Sequence, residues 1–362
     1  MKSQRTPSHL LAAVGRRGKG VHTAGGGVLL LCALLVAACG ASTSQATSPT
    51  ITPPTATASA TPTPLPSAGT VSATITGLGA NTQVDNGLAA SDTAIWVHNG
   101  LAGTLVRIDP RTNTIVATIP VGHGEGGVAL GEGAVWVANP QEGTVSRIDP
   151  QTDRVVATIT LAPQHAVQAL TVSPGAVWVS QFEQDALVRI DPHANHVVAT
   201  IPNQPGITGV SFGAGSVWTC SHHNPFNGLE QLNPQTNQVQ AQLSVGGGDG
   251  RSCSAVVALA AQTVWATSHI NGEHDTGLQR IDPVTKTVVA TIPVPQAIPF
   301  HFAANEQGVW LYSESGVYRV DPATNQLVGQ LAIPDVFGIA VAAGAVWVSK
   351  GDGTLLRITP AS

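Results

Sequence analysis

Basic charge is scarce in this chain, and what there is sits in the wrong places for a nucleic-acid binder. The 362 residues carry 16 Lys and Arg against 21 Asp and Glu. Five of the cations (Lys2, Arg5, Arg16, Arg17 and Lys19) precede Cys39, and all the acids follow it. A chain cleaved before Cys39 keeps 11 cations against 21 acids, a balance of −10. Six of those 11 fall at one repeated position: Arg107, Arg147, Arg189, Arg280, Arg319 and Arg357. They are expected to pair with acids in turns or with the edges of sheets. No basic stripe is left to track phosphates. Cysteine is scarce too, with four in all.

The N-terminal segment accounts for two of the cysteines. The basic stretch is followed by an apolar run from Val28 to Ala38, the pattern of a secretory signal. The run ends Val36-Ala37-Ala38-Cys39-Gly40. This resembles a bacterial lipobox, in which Cys39 is lipidated after cleavage; the alternative is a plain small-residue cleavage site. Arg16-Arg17 matches twin-arginine export poorly in its flanks. Residues 1–39 are therefore read as a signal peptide. Residues 40–69 follow with 19 Ser, Thr or Pro out of 30 and no charge. Such a composition builds no core and predicts a semi-extended tether, on the order of 90 Å long at about 3.1 Å per residue. The expected address is the outer side of a bacterial membrane, through a lipid on Cys39.

Beyond residue 70 the chain repeats. Its seven tryptophans (Trp96, Trp136, Trp178, Trp218, Trp265, Trp310 and Trp347) are spaced by 40, 42, 40, 47, 45 and 37 residues, each after Val or Ile. A period near 40–45 with one aromatic per unit predicts a β-propeller, here with seven four-stranded blades over 70–362. The strands are named A to D within each unit. A–B turns are short and rich in Gly or Ala. C–D turns begin Asp-Pro or Asn-Pro, as at Asp109-Pro110 and Asn233-Pro234, and are read as type I turns. The tryptophans are then packing residues between blades. The last unit stops at Ser362 without a strand D. Val71 to Thr76 (VSATIT) matches Val155 to Thr160 (VVATIT) at all positions but one, so this N-terminal strand is expected to complete blade 7.

Candidate sites follow from where the repeat is broken. The A–B and C–D turns share one uniform face; the B–C and D–A loops share a variable face, where binding is sought. Nine residues before each Trp stand Gly87, Gly127, Ala169, Gly209, Val256, His301 and Gly338. His301 is the exception, read either as a ligand-contacting base in the axial channel or as a plug filling it. His123 and Glu125 share one D–A loop, His165 holds the matching place one blade later, and Asp249 and Arg251 lie in the loop before blade 5; these are ligand-binding candidates. His269, Glu273, His274 and Asp275 share one B–C loop, a candidate set for a divalent metal such as Mg or Ca, although no cofactor is firmly implied. Cys220 and Cys253 face each other as a disulfide or as two buried thiols.

The run Val-Ser-Arg-Ile-Asp-Pro-x-Thr-x-x-Val-Val-Ala-Thr-Ile at 145–159 resembles the YVTN-type propeller repeat of bacterial surface and periplasmic proteins. That resemblance covers about residues 70–362 and implies no shared reaction. The chain is also similar, more distantly, to the streptogramin (virginiamycin B) lyases, which act with magnesium, His and Glu. Their acid–His spacing is not matched; Glu273-His274 and His123-x-Glu125 are loose echoes. Two functions are thus expected: a tethered, monomeric, non-enzymatic module binding a small molecule, peptide or protein, or a metal-assisted lyase or hydrolase with His301 as its base.

Overall fold

The computed structural model describes residues 64–361, apart from 80–86, 162–166, 203, 205, 224–225, 246–250, 260–262, 271–272, 295–300 and 314. Within the strands, the side chains at 222–223, 226–227, 251–252, 254–256, 258–259, 268–270 and 273–276 are also outside the description. The segment read as a signal, Cys39 and most of the segment read as a tether lie outside the described residues.

Seven antiparallel four-stranded sheets make a seven-bladed β-propeller. Blade 2 shows the plan: Val128–Gly131, Ala134–Asn139, Thr144–Asp149 and Arg154–Thr160 pair in chain order. Strand B is buried along its whole length and strand D alternates exposed and half-buried residues, as expected for inner and edge positions. In blade 7, strands Val336–Ala342, Ala345–Lys350 and Leu355–Pro360 are joined by Gly69–Ile75, which pairs antiparallel with Leu355–Pro360 as the outer strand.

The segment expected to run free up to residue 69 is already paired at Pro66–Ala68. Pro66 O accepts from Gln330 N–H at 2.9 Å, and Ala68 N–H donates back to Gln330 O at 3.1 Å, so this segment lies along the outer strand of blade 6 (Gln326–Leu331). Ala68 is buried in the apolar layer between blades 6 and 7. A Cβ at Gly329 would stand 2.7 Å from Ala68 Cα. The matching residue opposite the repeated Arg is Ala117, Ala157, Ala199 and Ala290 in other blades, so glycine marks where the N-terminal segment crosses.

Burial is organised between blades rather than within them. One apolar cluster joins Trp136, Ala138 and Val145 of blade 2 to Val177, Val179 and Ile190 of blade 3. Another joins Trp347 and Leu355 of blade 7 to Leu88, Ile95 and Val106 of blade 1. Each tryptophan therefore faces the next blade, and all seven are at most 2% exposed. Burying a ring this size stabilises by about 2–3 kcal/mol relative to leaving it in water.

On the uniform face, six of the seven tryptophans are covered by the arginine opposite them in strand C. Arg107, Arg147, Arg189, Arg280, Arg319 and Arg357 lie 5.5–5.8 Å from the centroids of the Trp rings in their own blades. Most of these guanidiniums then reach into the C–D turn of the following blade. Arg107 donates to Pro150 O at 2.9 Å and Asp153 Oδ1 at 3.0 Å; Arg280 to Pro322 O at 3.0 Å and Asn325 Oδ1 at 3.1 Å; Arg357 to Pro110 O at 3.1 Å and Asn113 Oδ1 at 3.3 Å. Arg147 donates to Asn195 Oδ1 at 3.0 Å. In blade 4, Gln231 stands opposite Trp218 instead.

The turns that receive these arginines are one residue wider than a type I turn. Asn113 N–H bonds Asp109 O at 2.8 Å and Asp153 N–H bonds Asp149 O at 2.9 Å, closing over four residues rather than three. The fifth residue turns left-handed, as at Asn113 (φ 59°), Asp153 (φ 54°) and Asn325 (φ 58°). Asn and Asp tolerate that conformation best among non-glycine residues, and the same side chain is the one the arginine holds. The Asp opening each turn accepts a backbone N–H two residues on, as Asp109 does from Arg111 at 2.8 Å and Asp149 from Gln151 at 2.8 Å. Those backbone donors hold both carboxyls below the usual aspartate range.

Candidate functional site

The axial channel is lined by strand A of every blade. A cavity of about 270 Å³ is walled by residues such as Leu88, Val128, Leu170, Val210, Val257 and Ile339, and His301 stands half-buried in the same wall. Small residues before each Trp follow from this crowding, and His301 is the one titratable group among the described lining residues. The arrangement provides a channel lined by mostly apolar side chains and by backbone polar groups, with one imidazole.

The variable face departs from its expected form at blades 4 and 5. Both B–C connections are extended hairpins rather than long loops. Strands Ser216–His223 and Phe226–Asn233 stay paired out to His223 and Phe226, and Thr263–Ile270 pairs with Glu273–Asp282 out to Ile270 and Glu273. His269, Glu273, His274 and Asp275 are thus strand residues, not loop residues. The signal was present as Asn271-Gly272, the dipeptide that favours a two-residue hairpin turn. Arg251 likewise opens strand Arg251–Leu259. Asp249 and His165 lie outside the described residues. No group of three or more His, Cys, Asp or Glu side chains able to hold a metal stands together among the described residues.

Cys220 and Cys253 form a disulfide with a Cα–Cα separation of 5.2 Å. Cys253 belongs to strand A of blade 5 rather than to the loop before it, so the bond ties strand B of blade 4 to its neighbour. Cys220 is two residues after Trp218, and the same position does related work elsewhere. Tyr312, two after Trp310, donates its hydroxyl to Phe337 O of blade 7 at 2.8 Å. His98, two after Trp96, reaches the loop leading into blade 2.

His98, near the end of strand Ile95–Asn99, is not among the candidates drawn from the sequence. It is 0% exposed, with Nδ1 3.0 Å from Gly126 O and Nε2 3.2 Å from Gly122 O. It therefore underpins the loop that carries His123 and Glu125. That loop is glycine-rich because it is close-packed: Gly124 N–H bonds Gly100 O at 2.9 Å, and a Cβ on Gly100 would meet Gly124 O. His123 does not turn to Glu125. Its Nδ1 lies 2.8 Å from Glu142 Oε1 and its backbone N–H donates to Glu142 Oε2 at 2.8 Å. Partial burial works to raise the Glu142 carboxyl, but the two His123 donors hold it below the usual range.

Glu125 is exposed and lines a different cavity, of about 370 Å³, at blades 2 and 3. Its wall includes Gln141, Gln168, Phe182 and Glu183. Two carboxylates, two amides and a half-buried aromatic ring give this pocket the chemistry to receive a cationic or hydrogen-bonding group.

The comparisons with known proteins agree on fold and on little else. A family model described as a repeat of unknown function (DUF6923) matches residues 118–264. No curated protein matches the sequence. Among solved structures, virginiamycin B lyase from Staphylococcus aureus superposes with a TM-score of 0.66 at 15% identity, covering 80% of this chain and 99% of that one. Hydrazine synthase from Kuenenia stuttgartiensis gives 0.65 at 12%, covering 75% and 95%. The WD40 β-propeller domain of Doa1 gives 0.64 at 12%, covering 80% and 96%. Relatives of such different kinds at this identity define a class of protein, the β-propeller, and not an activity.

Burial is the largest influence on His98 and lowers its pKa below 6.5; the carbonyls of Gly126 and Gly122 and the charge of Glu142 pull the other way, and the His123 charge adds slightly to the lowering. A folded-state histidine with a depressed pKa binds fewer protons than the unfolded chain. Its contribution is complete above the unfolded value of about 6.5 and is lost as the pH falls from there through the lower folded value. Urea unfolding should give a lower stability at pH 5.5 than at pH 7.5, by at most about 1.4 kcal/mol per pH unit from this group. His98→Gln should flatten that difference. An unchanged pH dependence in the variant would remove His98 from this role.

Proposed function

We propose that this protein is an exported, lipid-tethered binding propeller that takes ligand on its variable face without catalysing a reaction. The observation that supports this most is the contrast between the faces. On the uniform face, most of the repeated arginines lock the next blade's turn. On the variable face, His98, the Cys220–Cys253 disulfide and the Tyr312 hydroxyl hold the ends of blades in place. Rigid supports beneath varied loops are what a pre-organised binding surface requires. The YVTN-type character of the 145–159 repeat is in keeping with a surface or periplasmic role.

The pocket at blades 2 and 3 is assigned to a cationic group. With trilysine as the probe, calorimetry should show binding weakened about fivefold by Glu125→Gln, the equivalent of about 1 kcal/mol for a partly exposed ion pair. Glu306→Gln, which removes the same charge from the uniform face, should change it less than twofold. Equal effects of the two substitutions would show that only net charge is sensed.

The tether reading assigns the membrane anchor to Cys39. In detergent phase partitioning of the protein expressed in a bacterium, the wild type should enter the detergent phase and Cys39→Ser the aqueous phase. Wild-type protein found in the aqueous phase would end the lipid-anchor assignment.

A further inference from the structure

We propose that the Cys220–Cys253 disulfide is a redox-dependent latch on the seam between blades 4 and 5, and that a dithiol reductant opens the ring there and frees two hairpins of the variable face from each other. The proposal stands on the packing of this seam and is independent of what the variable face binds.

The seam departs from the repeated plan in two coupled places. Gln231 stands opposite Trp218, where each of the other six blades places an arginine over the indole. Its Nε2 donates to Ser216 Oγ at 3.0 Å within the same blade, and its buried Oε1 has no hydrogen-bond partner among the described residues. Across the seam, the left-handed residue of the blade 5 turn is Lys286 (φ 59°), where other turns have Asn113, Asp153, Asn195, Asn237 and Asn325. An arginine at 231 would meet that ammonium instead of a carboxylate or amide, so the two departures go together. Lys286 Nζ reaches the other way, to Gln240 O of blade 4, in an exposed contact at 3.4 Å. A contact of that length and exposure holds little.

The covalent bond stands where the arginine is missing. Cys220 is on strand Ser216–His223 of blade 4 and Cys253 on strand Arg251–Leu259 of blade 5. Both belong to the apolar layer between these blades, with Trp218, Leu229, Val264 and Ile281. Cys220 pairs with Leu229 and Cys253 with Ser268, at the feet of the two extended hairpins. The bond therefore ties the hairpins together as well as closing the seam.

Both cysteines are 0% exposed, so a reductant reaches the sulfurs only when the seam parts. One thiolate of the dithiol attacks one sulfur, forming a mixed disulfide and releasing the other cysteine as a thiolate. The second thiolate of the reductant then closes onto the first and releases the second cysteine. Two electrons and two protons pass to Cys220 and Cys253, and the dithiol leaves as a disulfide. The bond spans a sequence separation of 33, and its loss returns that freedom to the opened seam, which no guanidinium holds shut.

Hydrogen exchange read by mass spectrometry on the full chain, with and without dithiothreitol, tests this. Reduction should speed exchange at least about fivefold in Ser216–His223 and Thr263–Ile270, and less than about twofold in the matching strands Ile95–Asn99 and Ala134–Asn139 of blades 1 and 2. The double variant Cys220→Ala/Cys253→Ala should behave as the reduced wild type. In that background, Gln231→Arg with Lys286→Asn installs the arginine and its acceptor, and should bring both strands back to within about twofold of the oxidised wild type. Uniform acceleration around the ring, no acceleration, or fast exchange that persists with the arginine installed would overturn the proposal. The comparison of oxidised with reduced wild type holds even if the alanine variants do not fold.

Discussion

The structure depends on one interaction repeated around the ring: a tryptophan buried against the next blade, covered by an arginine that reaches into that blade's turn. Each part needs the others. The indole has to be buried to be worth its area, and burial brings strand C's guanidinium out of water beside it. The guanidinium then needs acceptors, which the wide Asp-Pro turn supplies through a carbonyl and a side chain. The turn can supply that side chain because its fifth residue is left-handed, and Asn or Asp is the residue type that serves both purposes. A packing contact, a cation–π contact and a charge-assisted hydrogen bond thus coincide at most blade junctions.

With the uniform face locked in this way, variation is free to collect on the other. The position two residues after the tryptophan adapts to each local need. It is an imidazole at His98, a disulfide sulfur at Cys220 and a phenol at Tyr312, and each of these three links its strand to the following blade or to the loop that leads into it. The proposed ligand pocket beside Glu125 rests on the first of these ties. At the seam between blades 4 and 5, where Gln231 stands in place of the arginine, the tie is covalent.

Much of this was legible in the sequence because the repeat is regular. Seven tryptophans at a period near 40 give seven blades, and the six arginines were recognisable as scaffold residues directed at turns or edges. Two kinds of feature escaped. The width of the C–D turn depends on backbone closure, which Asp-Pro alone does not distinguish from a type I turn. His98 was not singled out because its partners, Gly122 and Gly126, are backbone carbonyls more than twenty residues away. The hairpins of blades 4 and 5 were hidden by a different cause: their polar composition reads as loop. The tether's end was misplaced because Ser67 and Ala68 resemble the residues before them, while their pairing with Gln330 is tertiary.

The central claim is that the arginine's hold on the next blade's turn is an energetic coupling between blades and not an incidental surface contact. A double-mutant cycle on Arg107 and Asp153, whose side chains are 26% and 28% exposed, measures it most directly. Urea unfolding of the wild type, Arg107→Gln, Asp153→Ala and the double variant should yield an interaction energy of about 1 kcal/mol or more. Stability losses that add to within about 0.3 kcal/mol would contradict the account.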